Sequence, residues 1–366
     1  MNGQMPRRIL MTGDTVGGVW DYSLQLIEAL TPYGIEVTLV AMGGQPSTDQ
    51  QRAAAALPNL RLVGSDLKLE WMPDPAADLR RAQELLLEVE AAFAPDIIHV
   101  NGYAAAAAGF AAPVVVVAHS CVPSWWRACR RQPLPAIWED YCHSLRQGIA
   151  TADCVVAPTR AFLRSFIECN GPATRARVIH NGRESRRYGP RTKRPFILAA
   201  GRLWDEAKNI AAVCQAVATL AHPVLLAGDG IPSGPLPPKL ELLGRIAGTD
   251  LAALMAEAIA FVAPARYEPF GLAILEAALS GCALILGDIP TMRELWDGVA
   301  RFVDPDDPGA LAEAVEGLLA DPDAALSAGG KARRRALSYG AKAMAQGYVA
   351  LYRELLSTTG ANEVAA

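Results

Sequence analysis

The chain has no Cys-x-x-Cys pair, no His-Glu-x-x-His motif, no Gly-x-Gly-x-x-Gly fingerprint and no terminal run of one charge. Each absence closes off a class of function. Its seven cysteines are scattered, odd in number and without zinc spacing, which argues against a disulfide scaffold and points to reduced thiols in a cytoplasmic protein. Five histidines without a ligand pattern lead to the expectation of no metal. A net charge of −4 with no dominant basic face argues against nucleic-acid binding. The glycine-containing turn at residues 13–18 is not a dinucleotide fingerprint, so a hydride-transferring dehydrogenase is disfavoured. No Gly-Lys-Ser/Thr follows it, so it is not a P-loop either.

Two further absences concern membranes. Arg7 and Arg8 precede only three apolar residues before Thr12 and Asp14, so no secretory leader is expected. No Asp, Glu, Lys or Arg occurs between Asp96 and Arg127. Pro113 divides that stretch and His99, Asn101, His119 and Ser120 interrupt it, so it reads as strand, alanine-rich helix and strand, not as a membrane span.

What is present is a soluble enzyme's composition, 51% apolar and 20% charged, in a chain of 366 residues, long enough for two domains. Short apolar runs alternate with helical spacing. Residues 8–12, 36–42, 97–100, 114–118, 154–157 and 178–180 read as strands. Residues 22–30 and 82–92 read as helices, the latter with Glu84, Glu88 and Glu90 towards solvent. Continuous apolar strands of this kind belong to parallel sheets covered on both faces. Residues 183–195 carry six basic residues with Gly189, Pro190 and Pro195, and read as an interdomain linker. The alternation then restarts: strands at 196–200, 224–227, 259–263 and 283–286, helices at 210–220, 251–256 and 272–279. A last helix, 341–356, carries Tyr348 and Tyr352 one turn apart. Alanine runs at 53–56 and 104–108 are compositional bias, not repeats.

The expected fold is α/β, two doubly wound Rossmann-like domains facing across a cleft. Residues 1–183 form the first domain, 184–195 the linker and 196–340 the second. Residues 341–366 pack either on the second domain or back on the first.

The most informative segment runs Glu268-Pro269-Phe270-Gly271-Leu272 and on to Glu276. A loop carboxylate, a small Gly271 and a helix start offer unpaired N–H groups to phosphate and carboxylate oxygens to sugar hydroxyls. Arg202 and Lys208, in the loop after the strand at 196–200, bring a guanidinium and an ammonium that can neutralise a diphosphate without a metal. Gly17 and Gly18 allow close approach of backbone to a ligand. Arg245 and Ile246, after Leu243 and Gly244, end a short strand that can present backbone to a nucleobase edge. His119, at the carboxyl end of its strand, is placed for a substrate hydroxyl or proton transfer. His99 has a weaker claim, and His143, His180 and His222 read as structural. Trp125, Trp126 and Arg127 mix aromatics with a cation, which suits an acceptor or a peripheral contact with the inner face of a membrane as well as plain packing.

In this order the elements resemble the family-4 retaining glycosyltransferases of the GT-B fold. The resemblance covers nearly the whole chain: residues 13–18, Pro95 to Val100, 114–120, Ala152 to Thr159, Val178 to Gly182, Gly201-Arg202-Leu203 with Lys208, Ala227 to Gly230, and the spacing of Glu268 and Glu276. It implies Arg202 and Lys208 on a donor diphosphate, Glu276 on the ribose, and Glu268, Gly271, Leu272 and His119 around the transferred sugar. It implies a UDP-, GDP- or ADP-linked sugar donor, a hydroxyl acceptor, no metal and no other cofactor, and a tail helix that returns to the first domain. The departures are Arg183 and Glu184 where Val-Asp is commoner, His180 in place of proline, and Trp204 and Asp205 where smaller residues are usual. A nucleotide-sugar epimerase on the same fold and a non-catalytic nucleotide-sugar-binding protein stand as alternatives.

Overall fold

A computed structural model describes residues 5–232 and 236–363. The chain divides into two compact units. Of the described residues, one contains 5–127, 132–182 and 341–363, the other 128–131, 183–232 and 236–340.

In the first unit seven strands form one parallel sheet: β1 (Arg8–Asp14), β2 (Glu36–Met42), β3 (Leu60–Gly64), β4 (Ile97–Val100), β5 (Val114–Val117), β6 (Cys154–Ala157) and β7 (Ala176–Val178). Their order is β3-β2-β1-β4-β5-β6-β7. Helices α1 (Gly18–Leu30), α2 (Thr48–Ala55), α3 (Ala76–Phe93), α4 (Val122–Cys129), α5 (Glu139–Thr151) and α6 (Arg160–Asn170) supply the crossovers. The residues of β4, β5 and β6 are buried throughout, which is why these strands carry no polar alternation.

The second unit holds a six-stranded parallel sheet of β8 (Arg194–Ala200), β9 (Val224–Ala227), β10 (Leu240–Gly244), β11 (Ala258–Ala263), β12 (Ala283–Gly287) and β13 (Arg301–Val303), ordered β10-β9-β8-β11-β12-β13. Its helices are α7 (Ile210–Val217), α8 (Gly248–Glu257), α9 (Leu272–Leu279), α10 (Pro290–Trp296), α11 (Pro308–Leu319) and α12 (Pro322–Ala336). Alternate residues of β8 serve opposite faces: Ile197 and Ala199 join one apolar cluster, Phe196 and Leu198 the other. α13 (Ala341–Glu363) groups with the first unit and packs on α1. There the Tyr22 hydroxyl donates to the Tyr348 hydroxyl at 2.6 Å, and His99 Nδ1 lies 2.6 Å from the Tyr352 hydroxyl.

Both sheets have one place where the strand order reverses, between β1 and β4 and between β8 and β11. Loops leaving the carboxyl ends of two such neighbours run to opposite faces and open a crevice, where doubly wound folds bind ligands.

Several local expectations are corrected. The alanines at 104–108 form a five-residue 3-10 helix, too short for the alanine-rich α-helix expected there. Glu90 does not simply face solvent: its carboxylate accepts from the N–H groups of Ala111 and Ala112 just before β5. Within residues 183–195, Ser185–Arg187 forms a 3-10 turn, Arg194 and Pro195 begin β8, and Arg183 is buried. Of the loop preceding β10, residues 233–235 lie outside the described residues. Among the described residues no helix is long and apolar enough to cross a membrane.

Candidate functional site

In the second unit the two loops at the β8–β11 reversal carry most of the singled-out residues. The first leaves β8 at Gly201 and reaches α7 through a 3-10 turn, Glu206–Lys208. The second leaves β11 and enters α9 through Gly271.

Backbone approach shapes the first loop. A Cβ on Gly228 would lie 1.8 Å from the Gly201 carbonyl oxygen, and Leu203 N–H donates to the Asp229 carbonyl at 2.8 Å. The Gly228–Gly230 turn after β9 thus seats the Arg202 loop, and only glycine fits at Gly228. Arg202 Nη2 lies 2.5 Å from Asp205 Oδ2, and its guanidinium sits 5.4 Å from the Trp204 ring centroid. Asp205 is buried, and its second oxygen accepts from Ala207 N–H, capping the 3-10 turn. The two residues that depart from the usual pattern, Trp204 and Asp205, are therefore those that position Arg202. Among the described residues Lys208 has one ion-pair partner, Glu268 across the crevice. The unit thus neutralises each cation with its own carboxylate.

In the second loop Gly271 has a φ of 85°, and a Cβ there would meet Ile274 Cδ1 at 2.8 Å and Glu268 Cγ at 3.3 Å. The left-handed bend is what turns the chain from Glu268 into α9. The Glu268 carbonyl is tied down by the Thr291 hydroxyl at 2.7 Å. Pro269 and Leu272 flank the bend half-buried, and Phe270 is buried under it in the core of the sheet face that α9 covers. Glu276, one turn into α9, accepts from Arg183 Nε at 2.7 Å. This partner was missed because a basic run reads as solvated; the signal lay in Arg183 being one of the departures from the resembled pattern. Arg245 is exposed and Ile246 half-buried just beyond β10, which two strands, β9 and β8, separate from β11.

In the first unit, Gly17 and Gly18 are exposed where β1 passes into α1, Gly17 with a φ of 94°. His119 follows β5 and its Nε2 lies 2.8 Å from Asn101 Oδ1. Burial pushes its imidazole down to about 3, so it is neutral near pH 7. A crevice at the β1–β4 reversal is lined by Thr12, Gly13, Asp14, Asn101, Glu70 and Trp71 among others. Glu70 and Trp71 went unnoticed in the sequence, which offers no periodic or motif signal there. The Glu70 carboxylate accepts from the N–H groups of Tyr103 and Ala104, and burial raises it above the usual carboxylate range. Trp125 and Trp126 are half-buried with ring centroids 6.1 Å apart, and Arg127 pairs with Ser165 and Glu168 on α6. Among the described residues no group of three His, Cys, Asp or Glu side chains gathers as a metal site.

Residues 16–187 match the family described as Glycosyltransferase Family 4, and residues 194–321 match Glycosyl transferases group 1. The chain belongs to this GT-B glycosyltransferase family, and it is an enzyme of the glycosyl-transferring class. A glycogen synthase of Mycobacterium tuberculosis is 27% identical over 371 residues, 88% of this chain and 87% of its own. A sucrose-phosphate synthase from Thermosynechococcus elongatus superposes with a TM-score of 0.80 at 21% identity, over 96% of this chain and 100% of its own. The Anabaena protein HepE, solved in complex with UDP and glucose, gives 0.73 at 17% identity over 95% and 99%.

Proposed function

We propose that the protein transfers a hexose-type sugar from a nucleotide-diphospho-sugar to a hydroxyl acceptor, with retention at the anomeric carbon and without a metal. The observation that carries this reading is the Lys208–Glu268 pair joining the two loops of the β8–β11 crevice. A cation and a carboxylate side by side there match a substrate that has a diphosphate next to a sugar. Lys208 would exchange its carboxylate partner for the diphosphate, Arg202 would reach it while still held by Asp205, and both would stabilise the charge that grows on it as the glycosidic bond breaks. Glu268 and the N–H groups at Gly271 and Leu272 would face the sugar, and Glu276 the ribose.

Retention follows if the acceptor attacks on the face the diphosphate leaves. The bond from the anomeric carbon to the diphosphate oxygen breaks, the acceptor oxygen bonds to that carbon, and the acceptor's proton passes to the departing diphosphate. No enzyme nucleophile is required. Neutral His119 would serve as a hydrogen-bonding group for the sugar, and the β1–β4 crevice with Glu70, Asn101 and Trp71 would receive the acceptor.

The test has two stages. Melting temperature is measured with UDP, GDP and ADP and their sugar conjugates, because only binding to the folded state raises it. With the donor so found, EDTA-treated enzyme is given candidate acceptors and the product's anomeric configuration is read by NMR. Retained configuration with activity intact is the expected result. Inverted product, a chelator-sensitive reaction, or interconversion of the donor sugar with no acceptor would overturn it, the last in favour of an epimerase.

A further inference from the structure

Arg183 and Glu276 are 93 positions apart, yet Arg183 Nε donates to Glu276 Oε1 at 2.7 Å, with side-chain exposures of 7% and 14%. Burying such a pair is costly unless geometry compensates, so it is weak evidence for a purely stabilising role. The arginine is held from both ends. Its backbone N–H donates to the Tyr339 carbonyl at 3.1 Å and forms an isolated parallel bridge with Gly340. Its guanidinium is planar, permanently charged and directional, so it fixes the plane of a carboxylate where a lysine would only attract it. Glu276 itself stands one turn from Gly271, where α9 opens towards the crevice. Among the described residues its Oε2 has no recorded hydrogen bond, so that oxygen is available while Oε1 is clamped.

We propose that Arg183 is a specificity-determining positioning residue: it orients Glu276 so that the free carboxylate edge receives the ribose hydroxyls of the donor. This rests on the nucleotide-sugar reading above, with Glu276 on the ribose. Arg183 does not touch the donor. By holding the acceptor oxygens in place before the nucleotide arrives, it removes an ordering cost that a mobile glutamate would incur on binding. The clamp therefore acts on discrimination between ribose and deoxyribose more than on the chemical step.

The experiment compares Kd by calorimetry for UDP, GDP and ADP, each against its 2′,3′-dideoxy counterpart, in wild type, Arg183→Lys, Arg183→Gln and Glu276→Ala. Arg183→Lys keeps a cation beside the buried carboxylate, and Arg183→Gln keeps an N–H donor without the charge, so the test does not depend on one variant folding. The expected result is that both Arg183 variants weaken the preferred ribonucleotide by about tenfold. The dideoxy form keeps its Kd, so the ribose preference shrinks, and kcat at saturating donor changes little. A ribose preference equal to wild type in both folded Arg183 variants, with the preference lost in Glu276→Ala, would overturn the inference and leave the donor reading standing. A preference that survives Glu276→Ala would remove the ribose assignment itself. Equal weakening of ribo and dideoxy forms would reduce Arg183 to a structural pair.

Discussion

Lys208 and Glu268 form an ion pair across the strand-order reversal of the second sheet, linking the loop after β8 to the loop after β11. Each side chain neutralises the other in this structure. Their proposed roles separate by what each would touch. Lys208→Ala should cost about 2 kcal/mol or more of transition-state stabilisation, roughly a thirtyfold fall in kcat/KM. Glu268→Gln should lower kcat while nucleoside diphosphate affinity, measured by calorimetry, stays within a few fold. Loss of plain nucleotide binding in Glu268→Gln would move that carboxylate off the sugar.

Asp205 serves Arg202 and the 3-10 turn at once, through different oxygens. Asp205→Asn keeps an oxygen for the Ala207 N–H but loses the charge beside Arg202. It should destabilise the protein by only about 1 kcal/mol, seen as a small fall in the urea midpoint. Its diphosphate affinity should fall by more than that small change explains, because Arg202 loses its anchor. Arg202→Ala should weaken binding at least as much, and it should also lower the urea midpoint because it leaves the buried Asp205 carboxylate without its guanidinium.

Gly271→Ala places a methyl group on a left-handed bend and against Ile274 and Glu268. A loss of about 1–3 kcal/mol in stability is expected from the backbone strain alone. Turnover should fall further than stability, because the bend aims Glu268. Gly34, with a φ of 68° and nothing within 4 Å of its Cβ position, supplies the control. Gly34→Ala should lower the melting temperature and leave kcat/KM unchanged.

His99 is fully buried and its imidazole is pushed down to about 3 by burial, with the neighbouring His119 adding to the shift. An unfolded chain takes up that proton at the ordinary histidine value near 6.5, so it binds more protons than the folded form between these values. Stability from neutral His99 is therefore complete above about pH 6.5 and is lost as pH falls towards 3. The slope from this one group is at most about 1.4 kcal/mol per pH unit. His99→Gln should flatten the melting temperature against pH in that window. Tyr352→Phe removes the hydroxyl beside Nδ1 and should cost about 1–3 kcal/mol at neutral pH, loosening α13.

Much of this protein was legible without a structure, for identifiable reasons. β5 reads Val-Val-Val-Val because a strand buried on both faces has no solvent side to mark with polar residues. Arg202, Lys208 and Glu268 stood out because they lie in loops that leave strands, where doubly wound folds expose side chains to ligand, and Glu276 because it stands one turn into the helix that the Glu268 loop enters. Residues without periodicity were the ones missed: Glu70, whose partners are backbone N–H groups, and Asp205, which looked like an odd neighbour of Arg202.

The amino-acid order alone determined the alternation of strand and helix, the two-part division of the chemistry, and which loops carry charge. Those properties depend on local spacing and burial. Only the tertiary structure decided the pairings. Lys208 meets Glu268 because β8 and β11 are neighbours in the sheet, although β9 and β10 intervene in the chain. Arg183 reaches Glu276, and Tyr348 and Tyr352 reach Tyr22 and His99, by equally non-local routes. Apolar periodicity shows that a strand is buried but not which strand lies beside it, and charge partners follow from that second fact.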